Sequence, residues 1–193
     1  MHLSEMKSNP LANAWKIRFS NLPELKKEKI NKLSNMLIPE YQLKVIKRTR
    51  KYPEIGDIFQ INPKENIRYY GVVINNHINN HDGEDLILII ILNNDEKIEH
   101  KLSRTIVNKD LLIPPCIVGK EYWSHGFFFN VAHQSSEIKI ESFGFYNIID
   151  GFIYDEYDKY KYEKEPNIIS MGGVYTISGI AYDINKEIII REV

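Results

Sequence analysis

Leu86-Ile87-Leu88-Ile89-Ile90-Ile91-Leu92 is apolar at every position. Side chains along a strand alternate between two faces, so a run without a polar residue needs cover on both of them. Only an interior strand obtains that cover. The run is far too short to cross a bilayer, which takes about 20 residues. A fold built around it is therefore a layered, β-rich one with material on each side of a sheet.

The same vocabulary spreads outward from this stretch. Asn, Asp and Gly crowd residues 75–85 and 93–95, and their turn chemistry predicts hairpin loops there. From Gly56 onward short apolar runs at 57–61, 67–74, 86–92, 111–118, 127–133, 137–142, 146–154, 174–182 and 187–192 read as strands. Ile138 and Ile140, separated by Lys139 and flanked by Glu137 and Glu141, give one apolar and one charged face. Before Gly56 the pattern is different. Leu22, Leu25, Ile30, Leu33 and Leu37 recur at helical spacing, with Asn21 as N-cap, Pro23 in the first turn and Pro39 as the stop. The expectation is a mainly β, α+β chain: a strongly bent antiparallel sheet, barrel or sandwich over 51–193, behind a helical N-terminal segment over 1–50.

Composition narrows the function. The chain is 43% hydrophobic and 26% charged, enough for a sizeable core without disulfides or metal. With 25 Lys+Arg against 26 Asp+Glu it lacks the cationic excess on which phosphate binding depends. The basic run of Lys44, Lys47, Arg48, Arg50 and Lys51 reads as a solvated strand or linker rather than a nucleic-acid arm. Cys116 lies in the apolar Leu111-Leu112-Ile113-Pro114-Pro115-Cys116-Ile117-Val118 and reads as a small buried hydrophobe. With no signal peptide and no membrane span, the sequence predicts a cytoplasmic protein.

Chemistry-bearing motifs are sparse. His77 and His81 are four apart, but their Asn-rich context forms turns, not the helix that would turn both toward a metal. Gly-x-Ser-x-Gly and phosphate-cradling glycine motifs are missing. Neither a metal nor a cofactor is expected. Residues 111–133 concentrate Pro114-Pro115, Gly119, Tyr122-Trp123, His125-Gly126 and Phe127-Phe128-Phe129, the pattern of an aromatic packing knot or a binding surface. Residues 154–165 mix Tyr154, Tyr157, Tyr160 and Tyr162 with Asp155, Glu156 and Asp158, and read as an exposed loop or edge.

Gly56-Asp57-Ile58-Phe59-Gln60-Ile61 followed by Tyr69-Tyr70-Gly71-Val72-Val73 resembles the opening of the immunity protein 26 family of bacterial polymorphic-toxin systems. Leu112-Ile113-Pro114-Pro115, Trp123-Ser124-His125-Gly126-Phe127-Phe128 and Val131 resemble its middle segment, and the likeness runs from about Tyr52 to Tyr157. Asn62 departs from the pattern by displacing Pro63 one position. The resemblance implies a bacterial antitoxin-like protein that binds a cognate toxin, with no catalytic residue of its own. The expected contact residues are Trp123, His125, Tyr154, Asp155, Glu156, Tyr157 and Asp158. The alternatives are a small hydrolase using His125 or His133, and an SH3-like binding module.

Overall fold

The computed structural model describes residues 9–34, 42–94 and 96–192. Its first helix, α1 (Pro10–Ser20), was not expected. Asn9 caps it by accepting the Ala12 N–H at 3.0 Å, and Pro10 occupies the first turn, where its missing donor costs nothing. Asn21, expected to open the next helix, instead closes this one, its N–H donating to the Phe19 carbonyl. Helix α2 (Glu24–Ser34) occupies the place the periodicity gave it. Ile30 and Leu33 are buried as expected, while Leu25 is 65% exposed; Leu37 lies outside the described residues.

Five antiparallel strands make the main sheet: β1 (Asp57–Lys64), β2 (Ile67–Asn80), β3 (Gly83–Leu92), β4 (Leu111–Val118) and β5 (Phe128–His133), in the order β4-β3-β2-β1-β5. Register shifts interrupt the β1–β2, β1–β5, β2–β3 and β3–β4 ladders. Between β3 and β4 lie helix α3 (Ile98–Leu102) and a 3-10 turn, Asn108–Asp110; α4 (Glu121–Ser124) joins β4 to β5. A second sheet holds β6 (Phe143–Tyr146), β7 (Ile153–Tyr154) and β8 (Ile168–Met171) in the order β7-β6-β8, with β6 and β8 parallel. The fold is thus α+β and rich in strand.

Residues 86–92 lie in β3 with both neighbours in place, and all of them are buried. Their alternation divides the core. Ile87, Ile89 and Ile91 join Phe59, Ile61, Trp123 and Phe128 on one face, where α5 (Ile177–Arg191) adds Ile180, Ala181, Ile184 and Ile188. Ile90 and Leu92 point the other way, toward Ile58, Val72, Leu102 and Ile168. Each fully buried isoleucine of this run contributes about 1.5–3 kcal/mol relative to exposure.

Four sequence expectations need correction. Residues 174–182 and 187–192 are not strands: most of both belongs to α5, started by Thr176, whose Oγ1 accepts the Gly179 N–H at 3.1 Å. Residues 137–142 form no strand beyond an isolated bridge between Ile106 and Ile140. The run 146–154 is broken by a turn into the end of β6 and β7. Finally, residues 75–85 are mostly not loop, since β2 continues to Asn80 and β3 begins at Gly83, leaving His81 and Asp82 as the hairpin turn.

The basic run around Lys47 has no regular secondary structure. Leu43 at its start is buried in the main core, and the Ile46 and Thr49 N–H groups donate to the Gly126 and Trp123 carbonyls. Helices α1 and α2 pack on α5, with Ile30, Leu33 and Ile189 buried among Trp15, Phe19 and Tyr182. Arg18 adds a bidentate pair to Glu187 at 2.6 and 2.7 Å.

Candidate functional site

The motif residues are built into the interior. Asp57, 5% exposed, accepts the Glu54 N–H at 2.9 Å and the Asn130 amide at 2.5 Å, and its other oxygen lies 3.0 Å from His133 Nδ1. Asn130 in turn accepts the Trp123 indole N–H at 2.7 Å. One carboxylate thereby ties the start of β1, strand β5 and helix α4 together. Trp123, 1% exposed, packs edge-on against Phe59 and Phe128 at 5.4 and 5.2 Å between ring centroids. Gly71 leaves room for the Phe59 ring, which a Cβ there would meet at 2.3 Å. Gly126 takes φ = +87° with the Lys47–Arg48 backbone 2.9 Å from where its Cβ would stand. These residues specify the fold; none of them presents a reactive group to solvent except His133.

Surface chemistry concentrates elsewhere. The β2–β3 hairpin and the loop after β7, about eighty positions apart in sequence, come together. Asn75 donates to the Tyr157 hydroxyl at 2.6 Å, Asn80 donates to the Glu156 carbonyl at 3.1 Å, and His81 Nδ1 sits 3.0 Å from the Asp158 carboxylate. Asp155 holds the loop by accepting the Lys159 and Tyr160 N–H groups at 2.8 and 3.1 Å. Asp158 stands at φ = +57°, a conformation that Asp and Asn tolerate. Burial pushes the Glu156 carboxyl above its usual range, and the bond Tyr154 donates to Asp150 raises that phenol.

Of the seven expected contact residues, the structure thus gathers Tyr154, Asp155, Glu156, Tyr157 and Asp158 into one half-exposed acidic and aromatic face. Trp123 and His125 lie apart, on and just after α4, with His125 exposed and Trp123 in the core. The loop around His77–Asp85, also expected to border the contact surface, supplies Asp82, but sequence reasoning missed Ile148, Ile149 and Asp150, which line the same cavity of about 490 Å³. The signal was present in Asn147 and Asp150-Gly151, turn formers on either side of two isoleucines.

The histidines separate. His133, half-exposed beside Asp57, borders a different cavity of about 390 Å³ with Ser135 and Ser136, whereas His125 does not. Among the described residues, no hydroxyl or thiol hydrogen-bonds to His133, and no three His, Cys, Asp or Glu side chains converge as metal ligands would. Cys116 is 1% exposed and burial pushes its thiol well up, so it packs as an apolar side chain.

A family model described as immunity protein 26 matches residues 54–159, more than half of the chain. No curated protein and no solved structure matches it.

Proposed function

From the premise that this chain belongs to the immunity protein 26 family, we propose that it binds a cognate bacterial toxin domain and neutralises it by occlusion in the cytoplasm. The contact surface in this reading is the face that joins Tyr154, Asp155, Glu156, Tyr157 and Asp158 to the β2–β3 hairpin. The observation that carries it is the division of labour in the molecule. Motif residues are consumed by the interior, while the acidic loop is held in shape by its own backbone bonds and stays half-exposed from Tyr154 to Asp158. Tyrosines supply large, stiff contact area, and acidic groups at a rim steer a basic partner and exclude wrong ones. A nuclease-type toxin, whose cleft is basic, is the chemistry such a face complements.

Trp123 and His125 enter this reading with different roles. Trp123 works from behind by fixing α4, and His125 is the exposed group on that turn. Residues 51–193 carry the binding unit, with α1 and α2 bracing it through α5. Among the described residues no helix is long and apolar enough to cross a membrane. The test is an inhibition assay with the toxin domain recovered by tagged pull-down. Replacing Asp155, Glu156 and Asp158 by Asn or Gln is expected to weaken inhibition at least about tenfold while the fold persists. Unchanged inhibition removes the proposed surface.

One observation favours a second reading. The Asp57–His133 pair orients an imidazole at a cavity, an arrangement hydrolases use for general-base chemistry. It demands an ester- or phosphoester-cleaving activity that His133→Ala abolishes; a chain inert toward both substrate classes retires it.

A further inference from the structure

The turn between β6 and β7 displays apolar side chains where burial gives them nothing. Ile148 is 69% exposed and Ile149 92%. The turn itself is firmly bonded. The Asn147 N–H donates to the Phe152 carbonyl at 2.8 Å, and the Gly151 N–H donates to the Asn147 carbonyl at 2.9 Å. The Ile149 and Phe152 N–H groups donate to the Asn147 and Asp150 side chains at 2.8 and 3.0 Å, and the Tyr154 hydroxyl donates to Asp150 at 2.7 Å. Gly151, at φ = +74°, supplies the left-handed step. Two isoleucines fixed in water on a bonded backbone lose little further freedom when covered, which is the condition an interface anchor needs.

The cavity beside them, about 490 Å³, is lined by Ile148, Ile149 and Tyr154 and by Asp82, Asp150 and Asp158. Among the described residues no Lys or Arg lines it; its one cation-capable neighbour, His81, is engaged with Asp158. Gly173 borders it with open space, since a Cβ there would meet nothing within 4 Å. Apolar surface beside carboxylates that no lining Lys or Arg balances has a definite complement. A second copy of this chain would bring like charges together, which opposes self-association. A basic partner relieves them.

We propose that the 147–151 turn is a docking surface for a basic protein partner, which places an arginine side chain in the adjacent cavity. The aliphatic stem lies along Ile148, Ile149 and Tyr154, and the guanidinium meets Asp82 and Asp158. This rests on the reading of the chain as a partner-binding immunity protein and adds the chemistry of the residue it captures.

The test needs no toxin. The full-length, isotope-labelled protein is titrated with N-acetyl-arginine amide and, separately, with its citrulline counterpart, similar in shape but uncharged, while amide shifts are followed by NMR. Shifts at His81, Asp82, Ile148, Ile149 and Asp158 with arginine, and weaker ones with citrulline, are the expected result. Asp82→Asn and Asp158→Asn should each lower the affinity about two- to fivefold, and Ile149→Ser should weaken it with an unchanged melting temperature. Equal responses to both probes, shifts scattered over other acidic surface, or none at all overturn the proposal. A dimer in sedimentation that Ile149→Asp dissolves also overturns it, by assigning the turn to contact between copies. Arginine capture without toxin inhibition would retire the immunity reading and leave this site standing; inhibition without arginine capture would do the reverse.

Discussion

The five-stranded sheet has long strands buried on both faces at its centre, whereas the three-stranded sheet has short strands, with Phe145, Ile153 and Ile168 buried and the loops around them tied by hydroxyl and backbone bonds. In β3 every position from Leu86 to Leu92 is buried, and Phe59, Trp123 and Phe128 interlock beneath it. Strand β7 has two residues, and the chain around it is fixed by the Tyr162 hydroxyl on the Phe143 carbonyl at 2.9 Å, by Tyr157 with Asn75, and by Asp155. Dense burial makes a region intolerant of change. A surface held by a few polar bonds can vary in its outward side chains, and that is where a partner-specific face is best placed.

The sharpest way to break this contrast is at the aromatic knot. Trp123→Ala is expected to cost about 3–5 kcal/mol in denaturant unfolding, because it empties a large volume and strands Asn130. Gly71→Ala should follow at up to about 3 kcal/mol, since the Phe59 ring and the Ile90 carbonyl stand 2.3 and 2.6 Å from the new Cβ. A loss below about 1 kcal/mol at both positions would mean the main sheet is as forgiving as the small one.

Asp110 sharpens the contrast through pH. It is buried, takes two bonds from Arg104 at 2.6 and 2.9 Å and one from the Val107 N–H, and its carboxyl is held down at about 2 from the ordinary 3.8. A depressed carboxyl stabilises the fold above its unfolded value, and that contribution is lost as pH falls from about 4 toward 2. Asp110→Asn should cost about 2 kcal/mol at neutral pH and flatten the acid limb of the unfolding midpoint between those values. In the loop beside the small sheet, Tyr157→Phe removes one bond to Asn75 and should cost about 1 kcal/mol, read as a lower melting temperature. The smallest effect belongs to neutralising Glu156, Asp82 and Asp85 one at a time, each within about 0.5 kcal/mol.

Legibility in the sequence followed the same division. The main sheet was readable because burial on both faces leaves an unbroken apolar run, and four of its five strands sit within a few residues of the expected places. The exception, β2, runs on through Asn75, Asn76, Asn79 and Asn80, whose low strand propensity reads as loop. The C-terminal helix was hidden by its own composition. Ile188-Ile189-Ile190 has strand character, yet Ile177, Ile180, Ala181, Ile184 and Ile188 keep the 3.6-residue rhythm under a Thr176 cap. Helix α1 buries no residue fully, and its short stripe of Leu11, Trp15 and Phe19, four residues apart, was passed over. As for the candidate face, its tyrosines and carboxylates could be named in advance. Their meeting with the hairpin is a long-range contact that no local pattern encodes.

Strands β6 and β8 lie side by side and parallel, Phe143 opposite Ile168 and Tyr146 opposite Met171. Everything between them, residues 147–167, leaves from and returns to one two-strand frame. Lengthening a segment so anchored costs little, about 0.6 kcal/mol of closure entropy for each doubling. Within it β7, with Ile153, and the bonds of Glu156, Tyr157, Asp158 and Tyr162 tie the segment to the rest of the molecule. The chain outside those anchor points can lengthen or change while the five-stranded sheet keeps its own hydrogen-bonded partners.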